Sequence, residues 1–178
     1  MEIFKFLQLG GSIMVPLIIL SIIAVTLIID LVWINLKSHS SLKKLAQNIT
    51  LTDVQNPVAK AINSNHNLEG KIDLLNYEIQ KVERKTSFLS VIASIAPLLG
   101  LLGTVFGMIR IFNVVSVQKT SNPLEALSGG ISEALFATAG GLIVAIVAGF
   151  AHYFLISSLD SIADKSIVYL NNQKNNIG

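Results

Sequence analysis

The longest stretches without a charged residue constrain this chain more than anything else in it. Thr86 to Ile109 and Ala134 to Leu159 contain no Asp, Glu, Lys or Arg, and Ile13 to Ile29 is equally bare before the apolar pattern resumes past Asp30 through Leu31, Val32, Trp33, Ile34 and Leu36. About 20 helical residues cross a hydrocarbon core, and a helix satisfies its own backbone polar groups where no water is available. Three transmembrane helices are therefore expected. Composition agrees: 13% of the residues are charged and 52% hydrophobic, with a mean hydropathy of +0.64, whereas roughly a quarter of a typical soluble protein is charged.

The first run does not read as a cleaved signal peptide, because Glu2 offsets Lys5 and no A-x-A-like site follows. Lys37, Lys43, Lys44, Lys60, Lys71, Lys81, Arg84 and Lys85 all fall between the first two runs, against Lys5, Lys119, Lys165 and Lys174 in the other flanks. Cytoplasmic loops carry the excess of Lys and Arg, so the N-terminus is expected outside and the C-terminus inside. The resulting division is 1–36 for the periplasmic N-terminus and first span, 37–85 for a cytoplasmic helical loop and 86–112 for the second span. A short periplasmic loop at 113–122, a third span at 123–159 and a cytoplasmic tail at 160–178 complete it.

Within the long loop, after Asn56-Pro57, Leu68, Ile72, Leu75, Ile79 and Val82 alternate at four- and three-residue spacings with charged residues between them. That period is an amphipathic helix. Its phase continues to Leu89 without a breaker, so one helix should run from the loop into the second span. Its apolar stripe packs either on an extension of the first helix or between subunits. Asn122-Pro123-Leu124-Glu125 has the form of an N-cap, a proline at the first helical position and an acid at the third. The third helix should begin near Pro123, and Gly129-Gly130 is a place where it can bend.

Several function classes fall away. There is no cysteine, and His39, His66 and His152 stand singly without metal-ligand spacing. No HExxH, GxSxG or P-loop pattern appears, and no metal site, cofactor or enzymatic activity is expected. A net charge of +2 without a basic stripe among aromatics sets nucleic acid aside.

Glu133 is the residue that stands out, just inside the third span. An acid there usually faces a bundle interior or a wet path and often relays protons; the plainer alternative is an interfacial acid near a helix N-terminus. Thr104 and Thr138 are weaker candidates, since a membrane threonine commonly bonds its own preceding turn. Folding the second and third helices into a hairpin about Lys119 brings Thr104 level with Leu135, between Glu133 and Thr138, which gathers one polar layer. Gly100, Gly103 and Gly107 in the second span, and Ala137, Gly141 and Ala145 at four-residue spacing in the third, are small-residue faces that let helices approach closely, and bulk at Gly103 or Gly141 is expected to break an oligomer. Pro97 should kink the second helix. Asp30, Arg110 and His152 read as structural, with Arg110 reaching outer headgroups.

The stretch Ala96-Pro97-Leu98-Leu99-Gly100-Leu101-Leu102-Gly103-Thr104-Val105-Phe106-Gly107-Met108 resembles the second-helix motif of ExbB and TolQ proteins, of the MotA/TolQ/ExbB proton channel family. Gly130-Ile131-Ser132-Glu133-Ala134-Leu135-Phe136-Ala137-Thr138-Ala139-Gly140-Gly141 resembles their third-helix motif. ExbB is the nearer likeness. The resemblance implies an all-α homopentamer in a bacterial inner membrane, with long helices extending into the cytoplasm. Its second and third helices would line a pore around an ExbD- or TolR-like one-span partner and act on a TonB- or TolA-like protein. It carries the pore-lining role to Glu133, Thr104 and Thr138. Arg110 departs from the family pattern, which has a neutral polar residue there; a cation near the outer mouth either alters proton entry or finds an anionic headgroup. A TolQ-like role in envelope integrity and a non-conducting membrane scaffold are the alternatives.

Overall fold

The computed structural model describes residues 13–46, 56–117 and 123–175. Their order is α1 (Met14–Ala46), α2 (Pro57–Ile62), α3 (Leu68–Val117) and α4 (Pro123–Asn175). The fold is all-α, with no strand among the described residues. α1, α3 and α4 are each long and apolar enough to cross a membrane, and only 17 to 28% of their most apolar windows is buried inside the chain. Most of that apolar surface is left for lipid or for other subunits. α3 runs unbroken from the amphipathic segment through Pro97 to Val117, as its uninterrupted phase requires. α4 begins at Pro123 and continues through Gly129 and Gly130; the Asn122 cap itself lies outside the described residues.

The chain divides into two compact units. In the unit formed by Leu27–Leu89 and Ala151 onward, Val58, Ala59, Ala61, Leu75, Ile79, Ile162 and Leu170 make a buried cluster, with Leu42, Leu68, Ile72, Ala163 and Ile167 packed against it. The stripe of the amphipathic segment thus has a partner that neither expected arrangement includes. It packs on α2 and on the far part of α4, with Leu42 from the expected extension of α1 beside them among the described residues. Residues 160–175, expected as a cytoplasmic tail, continue α4 as helix to Asn175. Leu155, Leu159, Ile162, Ser166 and Leu170 are all buried, at the spacing of one helix face. Ser166 fits this stripe because its hydroxyl donates to the Ile162 carbonyl at 2.7 Å.

α2 carries the same signature as Pro123, an asparagine cap followed by proline at the first helical position, though no helix is expected there from the sequence. The Asn56 side chain accepts from the Val58 amide at 2.9 Å. Its Nδ2 donates to the Lys37 carbonyl at 2.9 Å and to Ser41 Oγ at 2.7 Å, and Ser38 Oγ reaches its Oδ1 at 3.4 Å. One residue therefore caps α2 and ties it to the polar face of α1. An ion pair between Lys60 and Glu78 adds a link to α3.

Farther along this unit, Ser158 donates to Asn35 Oδ1 at 2.8 Å. With that proton committed, His39 Nε2–H is the donor in its 3.2 Å contact with Ser158 Oγ. His152 Nδ1–H donates to the Thr86 carbonyl at 3.0 Å, and Lys85 pairs with Asp30 at 3.2 Å. These contacts account for His152 and Asp30 as structural groups. No buried side-chain polar atom among the described residues lacks a partner.

Replacing Asn56 by Ala strands the Val58 amide and removes the tie to α1. It should lower the stability of this unit by about 1–3 kcal/mol, read as faster amide exchange across residues 57–62. Asn65→Ala, at an exposed position, should leave that exchange unchanged.

Candidate functional site

In the unit formed by the described residues up to Thr26 with Ser90–Phe150, α3 and α4 lie against each other with almost nothing between their backbones. A Cβ added to Gly141 would stand 2.5 Å from the Ala96 carbonyl oxygen and 3.0 Å from Gly100 Cα. One on Gly103 would meet Ala137 Cβ at 2.5 Å, and one on Gly107 would meet Ala134 Cβ at 2.9 Å. Such separations are below van der Waals contact, so these positions exclude any side chain. A Cβ on Gly130 would meet the end of the Ile111 side chain, which can turn aside more readily than a backbone can. From α1, Met14 and Leu17 close over Ala96, with Leu99, Val144 and Ala145 around them.

The small residues are therefore spent inside the subunit. The expectation that bulk at Gly103 or Gly141 breaks an oligomer is corrected to a first effect on the α3–α4 pair itself. The pairs Gly103–Ala137 and Gly107–Ala134 bracket Thr104 against the turn containing Leu135, which is the antiparallel register a hairpin about Lys119 requires.

This register positions the polar residues. Thr138 donates to the Gly100 carbonyl at 3.0 Å, a contact open only because Gly100 has no side chain. In an α-helix that same carbonyl is the acceptor for the Thr104 amide, so one oxygen joins the two threonine positions. The Thr104 hydroxyl donates instead to Leu101 in its own preceding turn, at 2.6 Å. Glu133 makes no hydrogen bond to either threonine. Its Oε1 lies 3.3 Å from Arg110 Nη1, with its side chain 26% exposed and that of Arg110 71% exposed.

Both charges line a cavity of about 220 Å³ whose remaining walls are Gly107, Ile111, Val114 and Gly130. Glu133 lies well past the first turn of α4, beyond the reach of the helix-terminus field. The dipole reading of this acid therefore loses its support. Arg110 had been assigned to headgroups. The signal for its true neighbour was available, since the hairpin register places it within a turn of Glu133, and no other cation occurs between Lys85 and Lys119.

A model of the MotA/TolQ/ExbB proton channel family matches residues 42–166. The chain belongs to that family. It is a membrane protein with three apolar helices long enough to span, and the family's match spans α3 and most of α4, including Arg110, Glu133 and both threonines. The Tol-Pal system protein TolQ of Haemophilus influenzae is 42% identical over 78 residues, 44% of this chain and 34% of that protein. The ExbB-like 1 biopolymer transport protein of Synechocystis sp. is 30% identical over 178 aligned residues, 86% of this chain and 70% of the relative. The biopolymer transport protein ExbB of Salmonella typhimurium is 43% identical over 65 residues, 36% of this chain and 26% of its own. The chain thus aligns to 34% of the length of this TolQ and to 70% of that of the ExbB-like relative.

Gly141→Ala should separate α3 from α4, because the new methyl meets a backbone carbonyl that cannot turn away. Thermal unfolding in detergent should show a loss of about 1–3 kcal/mol, the usual range for overpacking. Gly129→Ala, where nothing lies within 4 Å of the added Cβ, should show none.

Proposed function

We propose that this chain is the proton-conducting stator subunit of an ExbB-like motor in a bacterial inner membrane, with its N-terminus periplasmic and its C-terminus cytoplasmic. Five copies surround a one-span partner of the ExbD or TolR type. Proton flow through the assembly drives a TonB-like protein and, through it, outer-membrane transport. The observation that carries this reading is Glu133. It is an acid three-quarters buried between the charge-free runs of α3 and α4, paired with Arg110, beside a cavity and within the stretch that matches a proton-channel family. Such a group pays a solvation penalty that packing alone gives no reason to keep.

In this reading Glu133 takes up and releases the transported proton, while Thr104 and Thr138 border the path. The uncharged runs of α3 and α4 supply no second acid between Thr86 and Ile109 or between Ala134 and Leu159. The next relay group must therefore come from the partner's membrane helix. The TolQ relative supports a second assignment, to the Tol-Pal envelope system, since its 42% identity over 78 residues is close to the 43% over 65 residues of the ExbB relative. The one-span protein that copurifies with the chain, and whether deletion impairs cargo uptake or detergent resistance, separates the two.

Glu133→Gln keeps the shape and removes the titratable site, so coupled uptake should fall to background while the assembly still forms. Uptake at the wild-type level would reject the proton-carrying role. Proteoliposomes holding the chain with its one-span partner should show proton uptake under an imposed potential, and those holding the chain alone should not. Glu133-dependent flux from the chain alone would reject the shared relay, and no flux in either preparation would favour the scaffold.

A further inference from the structure

We propose that Arg110 is the positioning residue of Glu133: it closes over the carboxylate as an intrasubunit latch, so that loading a proton on Glu133 and releasing Arg110 are one event. This inference rests on the reading of Glu133 as the proton-carrying site. The geometry supplies the rest. The guanidinium of α3 reaches the carboxylate of α4 at 3.3 Å, across a cavity whose other walls carry no charge. Gly107 and Gly130 lie on the two helices within a turn of the pair and line the same cavity, where side chains in their place would meet Ala134 and Ile111.

No other charge competes for the carboxylate on the facing elements. α1 contributes no charged residue from Ile13 to Thr26, α3 none but Arg110 from Thr86 to Val117, and α4 none from Ala134 to Phe150. On the preceding turns of α4 the one other charged residue is Glu125, an acid. A guanidinium does not give up its proton in proteins, so Arg110 cannot itself relay. It can only hold the carboxylate or leave it. Once Glu133 is neutral the attraction is gone, and the 71% exposed Arg110 side chain is free to swing out of the cavity. When the proton departs, the pair closes again and returns the carboxylate to the same rotamer. The latch is thus a step in the cycle, and its stiffness sets how readily Glu133 is available.

A carbodiimide captures a carboxyl group that is protonated and uncovered, which makes it a direct probe of the open latch. The chain is labelled in its assembled, membrane-embedded complex with the one-span partner, and modification at Glu133 is followed by peptide mass spectrometry. Asp30, in the other unit and paired with Lys85, is the internal reference. Labelling at Glu133 should be slowest in the wild type, faster in Arg110→Lys, where the charge remains but the fork is lost, and severalfold faster than wild type in Arg110→Gln. Methylguanidinium added to Arg110→Ala should slow its labelling back toward the wild-type rate, which a purely structural role for Arg110 would not produce. Equal rates in the wild type and Arg110→Gln, or any other order of the three, overturns the assignment of Arg110 even while Glu133→Gln still abolishes flux. Full flux in Glu133→Gln removes the underlying reading instead, whatever the labelling order.

Discussion

The site depends on how closely two helix backbones approach. Gly100, Gly103 and Gly107 on α3 and Gly141 on α4 leave no atoms between the helices, and Ala134 and Ala137 fill what remains. Dispersion forces grow steeply at such separations, and in lipid, where apolar side chains gain nothing by meeting one another, they are the main force that holds helices together. Close approach also exposes carbonyl oxygens that side chains would normally cover. Thr138 uses one of them, at Gly100. The same approach brings an arginine of one helix beside a glutamate of the other.

The second unit solves a different problem by different means. Its helices carry polar residues on their contact faces, and each is matched: Asn56 with three groups of α1, Ser158 with Asn35 and His39, His152 with the Thr86 carbonyl. A buried polar group without a partner costs more than a matched one contributes. Such networks therefore specify one arrangement more sharply than apolar packing would. The first unit relies on steric fit between small residues and the second on complementary hydrogen bonds, yet α1, α3 and α4 each serve both.

How much of this was legible follows from which signals are periodic. The three spans, the continuity of the amphipathic segment with the second span, and the start of α4 near Pro123 were open to sequence reasoning, because charge-free length, helical phase and capping chemistry are local properties. The partner of the Leu75–Ile79 stripe was not. A stripe states that it will be covered, and only the return of α4 past Leu159 says by what. Even there Leu155, Leu159, Ile162 and Leu170 repeat at helical spacing, and the polar residues among them obscured the continuation. α2 was missed although Asn56-Pro57 has the same form as Asn122-Pro123, since six residues give too little periodicity to be noticed. Among the site residues, the hairpin register located Thr104, Glu133 and Thr138 at similar heights. Arg110 was read alone, as a cation near an interface, when its position in that register already named Glu133 as its neighbour.

The hydroxyl protons of both threonines are already committed, that of Thr138 to Gly100 and that of Thr104 to Leu101. What each oxygen still offers is lone pairs alone. A group that bonds to either oxygen must therefore bring its own hydrogen. Water, an amide or a neutral carboxylic acid can bond there, while a bare carboxylate meets only electron density of its own sign. Each of the two oxygens thus favours an acid over its conjugate base without carrying any charge itself.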